Sequence, residues 1–353
     1  MLNYFRRHHD FRSLTERVGD FSQVAGAKRY AFTSGRSRDV EAVDIKTGTG
    51  LHYTVLLDRA LDLAWAEYKG IPLAYIASPG IVSPRYHDPQ DNEWLRSFGG
   101  GLMTTCGFSN VGEAAELKGI KHGQHGRISN LPGENINIDE SYDGINYSIS
   151  VKGKVRQVKA FFEHWVLERS IRSFAGGNSI YIRDVIENKT NSRQPLMILY
   201  HFNFGFPLIN ENSGIMIPNA NPGSIGEQQF FNLKESGRTG PDPQTAAGNT
   251  FLFKSVADKN DQACFLISND RGNPELAVLV TYSCKPLKNL ILWTHLNAGS
   301  DVLCVEPANC NINGIAEEYK SGELEYLEPF EKREINIEIK VLDNKEEIVK
   351  IYG

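Results

Sequence analysis

No run of 18 or more apolar residues occurs in this sequence, so no segment can cross a membrane as a helix. The charged opening MLNYFRRHHDFRSL has no apolar stretch behind it, and no secretory leader is predicted. Neither charge is in great excess: 38 Lys plus Arg against 43 Asp plus Glu leaves −5. Without a basic surplus, nucleic acid is not an expected partner, and neither is a membrane. The five cysteines, Cys106, Cys264, Cys284, Cys304 and Cys310, include no C-x-x-C pair, and their number is odd. Reduced, mostly buried thiols in a cytoplasmic protein are the expectation. No G-x-G-x-x-G or P-loop follows a strand, and repeats and low-complexity segments are absent. Helix signals are scarce as well, with one short helix predicted within HDFRSLTERVG (9–19).

Short strands punctuated by Gly, Asn, Asp and Pro dominate. REINIEIKV (333–341) alternates without a break, with Ile335, Ile337, Ile339 and Val341 on one face. Further strands are predicted at 178–188, 194–204, 275–283, 290–296 and 301–307. Segment 51–76 reads as two or three strands with a turn at Lys69-Gly70. This density predicts an all-β sandwich or barrel. The most loop-like stretch, RTGPDPQTAAGNT (238–250), is too short for a domain boundary, and one domain over 1–353 is expected.

Several residues could carry chemistry. Glu306 ends the apolar run Val302-Leu303-Cys304-Val305, and Pro307 should stop or kink the strand there. A carboxylate at the rim of an apolar strand is partly desolvated, which raises its pKa and suits a general base; a strand-end Glu facing water is the alternative. His201, in LYHFNFGFPL, would share a strand face with Asn203 and line a sugar-sized pocket, or else be a core histidine bonded to a carbonyl. In HGQHGRISN (122–130), Gly123 and Gly126 disfavour a helix that would put His122 and His125 on one face. A glycine-rich turn with at most one histidine on a substrate is more natural. Zinc would need further ligands, from His201, Glu306 or His295, and no spacing compels it. Arg127 could hold an anion or sugar hydroxyls. Arg59 stands between Asp58 and Asp62, where an ion pair is the simpler reading. The triplet Gly99-Gly100-Gly101 permits close backbone approach, as a ligand floor would require.

Together these pieces resemble the aldose 1-epimerase (galactose mutarotase-like) superfamily, in matching order over most of the chain. GGLMTTCGFSN followed by GQHGRISN resembles a Gly-Gly-aliphatic segment preceding a Gln-His-Gly motif, which places His125 as the first active-site histidine. LYHFNFGFPL resembles the His-x-x-Phe-Asn motif and gives His201 the second place. LCVEPANCNING resembles the strand that ends at the catalytic glutamate, here Glu306, and YLEPFEKREINIEI resembles the closing segment. His-Gly-Arg-Ile at 125–128 is similar to a subgroup of uncharacterised aldose-epimerase-like proteins. The chain departs from the pattern at its sugar-binding arginine: Gly99 precedes the Gly-Gly pair where an arginine is usual, and Val111 follows Asn110. Arg59, Arg96 or Arg127 are the candidate substitutes. Asp258 and Asp261 are positional candidates for the binding aspartate.

The resemblance implies a β-supersandwich with an open, cofactor-free cleft that binds no metal and acts on a small sugar or sugar derivative, as a monomer or homodimer. Glu306 would act as base on the anomeric hydroxyl, His201 as acid on the ring oxygen, and His125 as a hydrogen-bond donor. Arg59, Arg127, Asn110 and Asn203 would contact the substrate, with His122 at the rim, where a structural role is the alternative. Two other readings stay open. One is a keto- or acid-sugar isomerase or epimerase, with or without assistance from a metal held by His122, His125, His201 and Glu306; the other is a non-catalytic carbohydrate-binding protein.

Overall fold

The alternation at 333–341 becomes the strand Lys332–Leu342, whose Ile335, Ile337, Ile339 and Val341 are buried while Glu334 and Asn336 face outward. In the computed structural model, which describes residues 2–4, 7–218, 229–232, 248–296 and 299–352, this strand lies inside a nine-stranded antiparallel sheet. Its neighbours are Ser179–Asn188 and Ala277–Ser283. An 11-stranded sheet packs against it, with Asn289–His295, Val302–Ala308, Gln194–Gly205, Met103–Phe108, Asp62–Tyr68 and Leu51–Leu56 adjacent in that order. The protein is all-β with a sandwich of antiparallel sheets, the galactose mutarotase-like fold.

The sandwich core follows from period-2 patterning on both sheets. Tyr200, Phe202 and Phe204 point from one sheet towards Phe265, Ile337 and Ile339 of the other. Phe265 meets Phe202 and Phe204 edge-on, with ring centroids 5.9 and 6.2 Å away. Burying each such ring contributes about 1.5–3 kcal/mol. One polar cluster interrupts this core. Fully buried Arg169 pairs with Asp184 at 2.6 Å and Asp62 at 2.9 Å, and the Tyr200 hydroxyl donates to Asp184 at 2.6 Å. A buried guanidinium is tolerated there because two carboxylates and the Ala60 carbonyl use its donors.

Segment 51–76 folds as Leu51–Leu56, Asp62–Tyr68 and the short Ile71–Pro72, turning at Lys69 (φ 51°) and Gly70 (φ 80°). Positive φ at both central residues is the hairpin turn that matches strand twist. The N-terminal helix is shorter than the 9–19 stretch, running Phe11–Thr15, with the Asp10 carboxylate accepting from the Ser13 N–H at 2.7 Å. Two further helices, Gly314–Ser321 and Lys345–Tyr352, were not foreseen, since eight residues show little apolar periodicity. Pro307 does not stop its strand: Val302–Ala308 runs through it, and Pro307 is paired with Leu290. The ladder is interrupted on the other side instead, between Tyr200 and Pro307, whose nitrogen has no proton to donate. Of the loop expected at 238–250, residues 238–247 lie outside the described residues, and Asn249–Lys254 is a strand on the edge of the larger sheet. All five cysteines are free, four of them buried and Cys264 half-buried. Among the described residues no helix is long and apolar enough to cross a membrane.

Candidate functional site

Strand alternation decides which face of Gln194–Gly205 carries chemistry. Tyr200, Phe202 and Phe204 enter the sandwich core, so His201 and Asn203 project from the opposite face of the larger sheet. On the adjacent strand the same rule sends Leu303 and Val305 into the core and Cys304 and Glu306 outward. The register pairs Phe202 with Val305 and Leu199 with Ala308, which sets His201 opposite Glu306. His201 Nε2 lies 3.2 Å from Glu306 Oε1.

His125 arrives from the loop after Ile120–His122. Its backbone is left-handed (φ 54°), and both backbone polar groups are engaged: N–H donates to Gly112 at 3.0 Å and C=O accepts from Gly107 at 2.9 Å. The next residue has to be glycine, because a β-carbon on Gly126 (φ 69°) would collide with the Gly107 carbonyl oxygen. A non-glycine residue held in this conformation next to a cavity stores strain that the surrounding bonds maintain. The Gly112 N–H points at His125 Nδ1 at 3.4 Å, so the imidazole proton belongs on Nε2. The His125 and His201 rings are 5.6 Å apart, edge to face. Trp94 packs on His125 at 4.6 Å, and Phe98 lies 5.4 Å from His201.

These side chains open into a cavity of 280 Å³, lined also by Trp293, Gln124 and Glu113. That volume suits a small polar ligand flanked by aromatic faces. Glu306 is 3% exposed, more buried than a strand rim implies, and burial pushes its carboxyl up to about 8. Burial likewise lowers the His201 imidazole to about 4, and His125 falls to about 3 through burial and then the neighbouring His201. Between those limits the His201–Glu306 contact holds one proton. Burial favours the neutral form, a carboxylic acid facing a free imidazole, over the ion pair.

Glu306, His201 and His125 are therefore brought together. The other expected residues are not in this cavity. Arg59 is buried and donates from Nη1 to the Val82 carbonyl at 2.7 Å; Asp62, its expected partner, is taken by Arg169 and Thr105. Asn110 is fully buried, with Nδ2 donating to the Glu113 and Gly123 carbonyls and Oδ1 accepting from the Ile315 N–H. Asn203 shares the His201 face as expected, but its amide is spent on the Gly101 and His201 carbonyls. His122 and Arg127 line a different cavity. Arg96 is exposed and pairs with Glu93, and Asp258 caps the turn that precedes Gln262–Ser268 in the nine-stranded sheet, with Asp261 in the same turn. The glycine triplet packs backbone on backbone: β-carbons on Gly100 and Gly101 would meet the Tyr75 and Leu63 carbonyl oxygens, so it is no ligand floor.

Sequence reading missed the aromatic walls, Trp94, Phe98 and Trp293. Aromatic residues at scattered positions carry no motif, and only folding brings them around one histidine pair. It also passed over Cys304. Ligand atoms of His201, Cys304 and Glu306 lie within 4.8 Å of one another, a grouping that could hold a metal ion. His122 is not part of that grouping.

Solved structures share this architecture. A protein of Klebsiella pneumoniae subsp. pneumoniae, provisionally named an aldose 1-epimerase, is 20% identical with a TM-score of 0.80, over 97% of this chain and 91% of that one. The Slr1438 protein of Synechocystis sp. PCC 6803 is 19% identical with a TM-score of 0.60, over 90% and 100% of the two chains. A galactose mutarotase-like protein of Clostridium acetobutylicum is 12% identical with a TM-score of 0.58, over 91% and 100%. At these identities the likeness is one of fold. No curated protein matches the sequence. One family model does match, over residues 37–341, and by it this chain belongs to the family described as Domain of unknown function (DUF4432).

Proposed function

We propose that this protein is an aldose 1-epimerase-like isomerase that interconverts the anomers of a neutral sugar by general acid–base ring opening. The observation that carries the reading is the contact between His201 and Glu306 at 3.2 Å on the wall of an aromatic-lined cavity. The fold shared with proteins named for aldose 1-epimerase and galactose mutarotase supports it. So does the segment His125-Gly126-Arg127-Ile128, which we take as the mark of an epimerase-like subgroup.

The pair has one proton to work with. With that proton on His201, the Glu306 carboxylate takes the proton of the anomeric hydroxyl while the imidazolium protonates the ring oxygen, and the C1–O5 bond breaks. Rotation about C1–C2 presents the other face of the aldehyde. The reverse transfers close the ring, so no proton is gained or lost overall. Burial favours the proton on Glu306 in the empty pocket, and sugar hydroxyls near the pair would stabilise the charged form. His125, protonated on Nε2, donates to the ring oxygen or a neighbouring hydroxyl. Each positioned proton-transfer group is worth roughly 10²–10⁴-fold. Among the described residues the cavity wall carries two glutamates, Glu113 and Glu306, and no arginine or lysine, which favours a neutral sugar over a phosphorylated one. The test is NMR saturation transfer between α and β anomers across a panel of aldoses. Exchange catalysed for none of them, with sugars nevertheless bound, would make this a carbohydrate-binding protein.

The grouping of His201, Cys304 and Glu306 favours one second reading, a metal-assisted isomerase of a keto- or acid-sugar. Stoichiometric metal by elemental analysis, with activity lost to EDTA and restored by the ion, would establish it over the first.

A further inference from the structure

The loop His122–Arg127 is a wall shared by two cavities. Gln124 and His125 face the one just described, while His122, Gly123, Gly126 and Arg127 face another of 560 Å³. The second cavity has a different chemistry. Lys121, Arg127 and Lys159 line it, and none of the three is in an ion pair among the described residues. A fourth cation, Arg156, is already neutralised by Glu134. Glu163 is the one carboxylate among the described residues of the wall.

The cavity also holds a buried polar atom without a partner. Gln157 stands near the end of the strand Tyr147–Val158, 2% exposed, on the face that alternation turns inward. Its Nε2 donates to Glu163 Oε1 at 3.2 Å, which fixes the amide orientation. Its Oε1 then has no hydrogen-bond partner. A buried amide oxygen left unpaired costs on the order of 1–3 kcal/mol, and a ligand donor would relieve it.

We propose that this second cavity binds a hydroxylated anion, a sugar acid or polyol phosphate. The anionic group is held by Arg127 and Lys121, and a ligand hydroxyl donates to Gln157 Oε1. The two halves of the assignment rest on different observations: unpaired cations call for a negative charge, and an orphaned acceptor calls for a donor, which a polyol hydroxyl supplies and a fully deprotonated anion such as sulfate lacks. The site is separate from the proposed catalytic pocket and does not depend on what happens there.

Isothermal titration of the full chain tests it with D-gluconate and D-sorbitol 6-phosphate, which have no anomeric carbon and cannot be ring-opening substrates. Neutral D-sorbitol and inorganic sulfate are the controls. Both hydroxylated anions are expected to bind one per chain, and more tightly than either control. Arg127→Ala and Lys121→Ala, both on exposed side chains, should each weaken binding about tenfold, as loss of one charge-assisted hydrogen bond does. Gln157→Leu should narrow the advantage of sorbitol 6-phosphate over inorganic sulfate. His201→Asn, in the other pocket, should leave binding unchanged. The proposal is overturned if neither anion binds, if sorbitol binds as tightly as its phosphate, or if binding is lost in His201→Asn and kept in Arg127→Ala.

Discussion

His201 and Glu306 face each other across two neighbouring antiparallel strands, Nε2 to Oε1 at 3.2 Å, each less than 10% exposed. Burying a carboxyl and an imidazole together costs their hydration even in the neutral form, and the one hydrogen bond between them returns only part of it. That cost is understandable in a site that must hold a proton between two groups.

Removing either group should stop proton transfer while leaving the pocket filled. Glu306→Gln and His201→Asn are each expected to lower the anomer-exchange rate by roughly 10²-fold or more, with a smaller effect on sugar affinity. Saturation-transfer NMR on a sugar that the wild type interconverts reads this directly. Near-normal exchange in Glu306→Gln would defeat the acid–base reading.

The pH–rate profile should be bell-shaped. Below about 4 the pair carries two protons and lacks a base, and above about 8 it carries none and lacks an acid. Activity should therefore hold between those limits, and the limbs belong to the pair as a unit. A profile rising monotonically through pH 8 would contradict one shared proton.

Cys304 separates the two chemistries. It is fully buried beside Glu306, and its thiol donates to Asn203 Oδ1 at 3.4 Å. In the proton-transfer reading, Cys304→Ala leaves exchange within a small factor of wild type, and EDTA has no effect. Joint loss of activity and bound metal in Cys304→Ala would transfer the assignment to metal-assisted chemistry.

The Arg169 network should dominate polar contributions to stability. Arg169→Met strands Asp62 and Asp184 inside the sandwich and is expected to cost about 3–5 kcal/mol. Arg29→Ala, which breaks a 2.6 Å but exposed pair with Glu41, should cost under about 1 kcal/mol. Urea titrations of both variants make the comparison, and similar losses would show that burial is not what matters.

Acid should destabilise the fold through its buried histidines. His87 is lowered to about 4, chiefly by burial and then by Arg127, and His125 to about 3. In the unfolded chain both bind protons near 6.5, so the unfolded state binds more protons as pH falls below that value. Stability is expected to drop from about pH 6.5 towards 4. His87→Leu should flatten that slope, because both ring nitrogens of His87 are buried without partners. Thermal melting against pH checks it, and an unchanged slope in the variant would rule His87 out.

Much of this protein was legible in one dimension. The period-2 run from Ile335 to Val341 fixed a buried strand by itself, since a side chain's face in a strand depends only on parity. The same parity put His201 with Asn203 on one face of their strand and Cys304 with Glu306 on one face of theirs. What parity leaves open is which strands are neighbours and in which register. Only the sheet order brought residue 201 opposite residue 306, and only the loop closed by Gly107 and Gly112 delivered His125 to them. The binding residues were misplaced for the same reason. A sequence shows that Asn110, Asn203 and Arg59 can hydrogen-bond, but the backbone carbonyls that occupy them come from segments distant along the chain. Two histidines three residues apart were likewise sent to two different cavities, because a glycine-rich turn has no fixed period and its path is set by what packs around it.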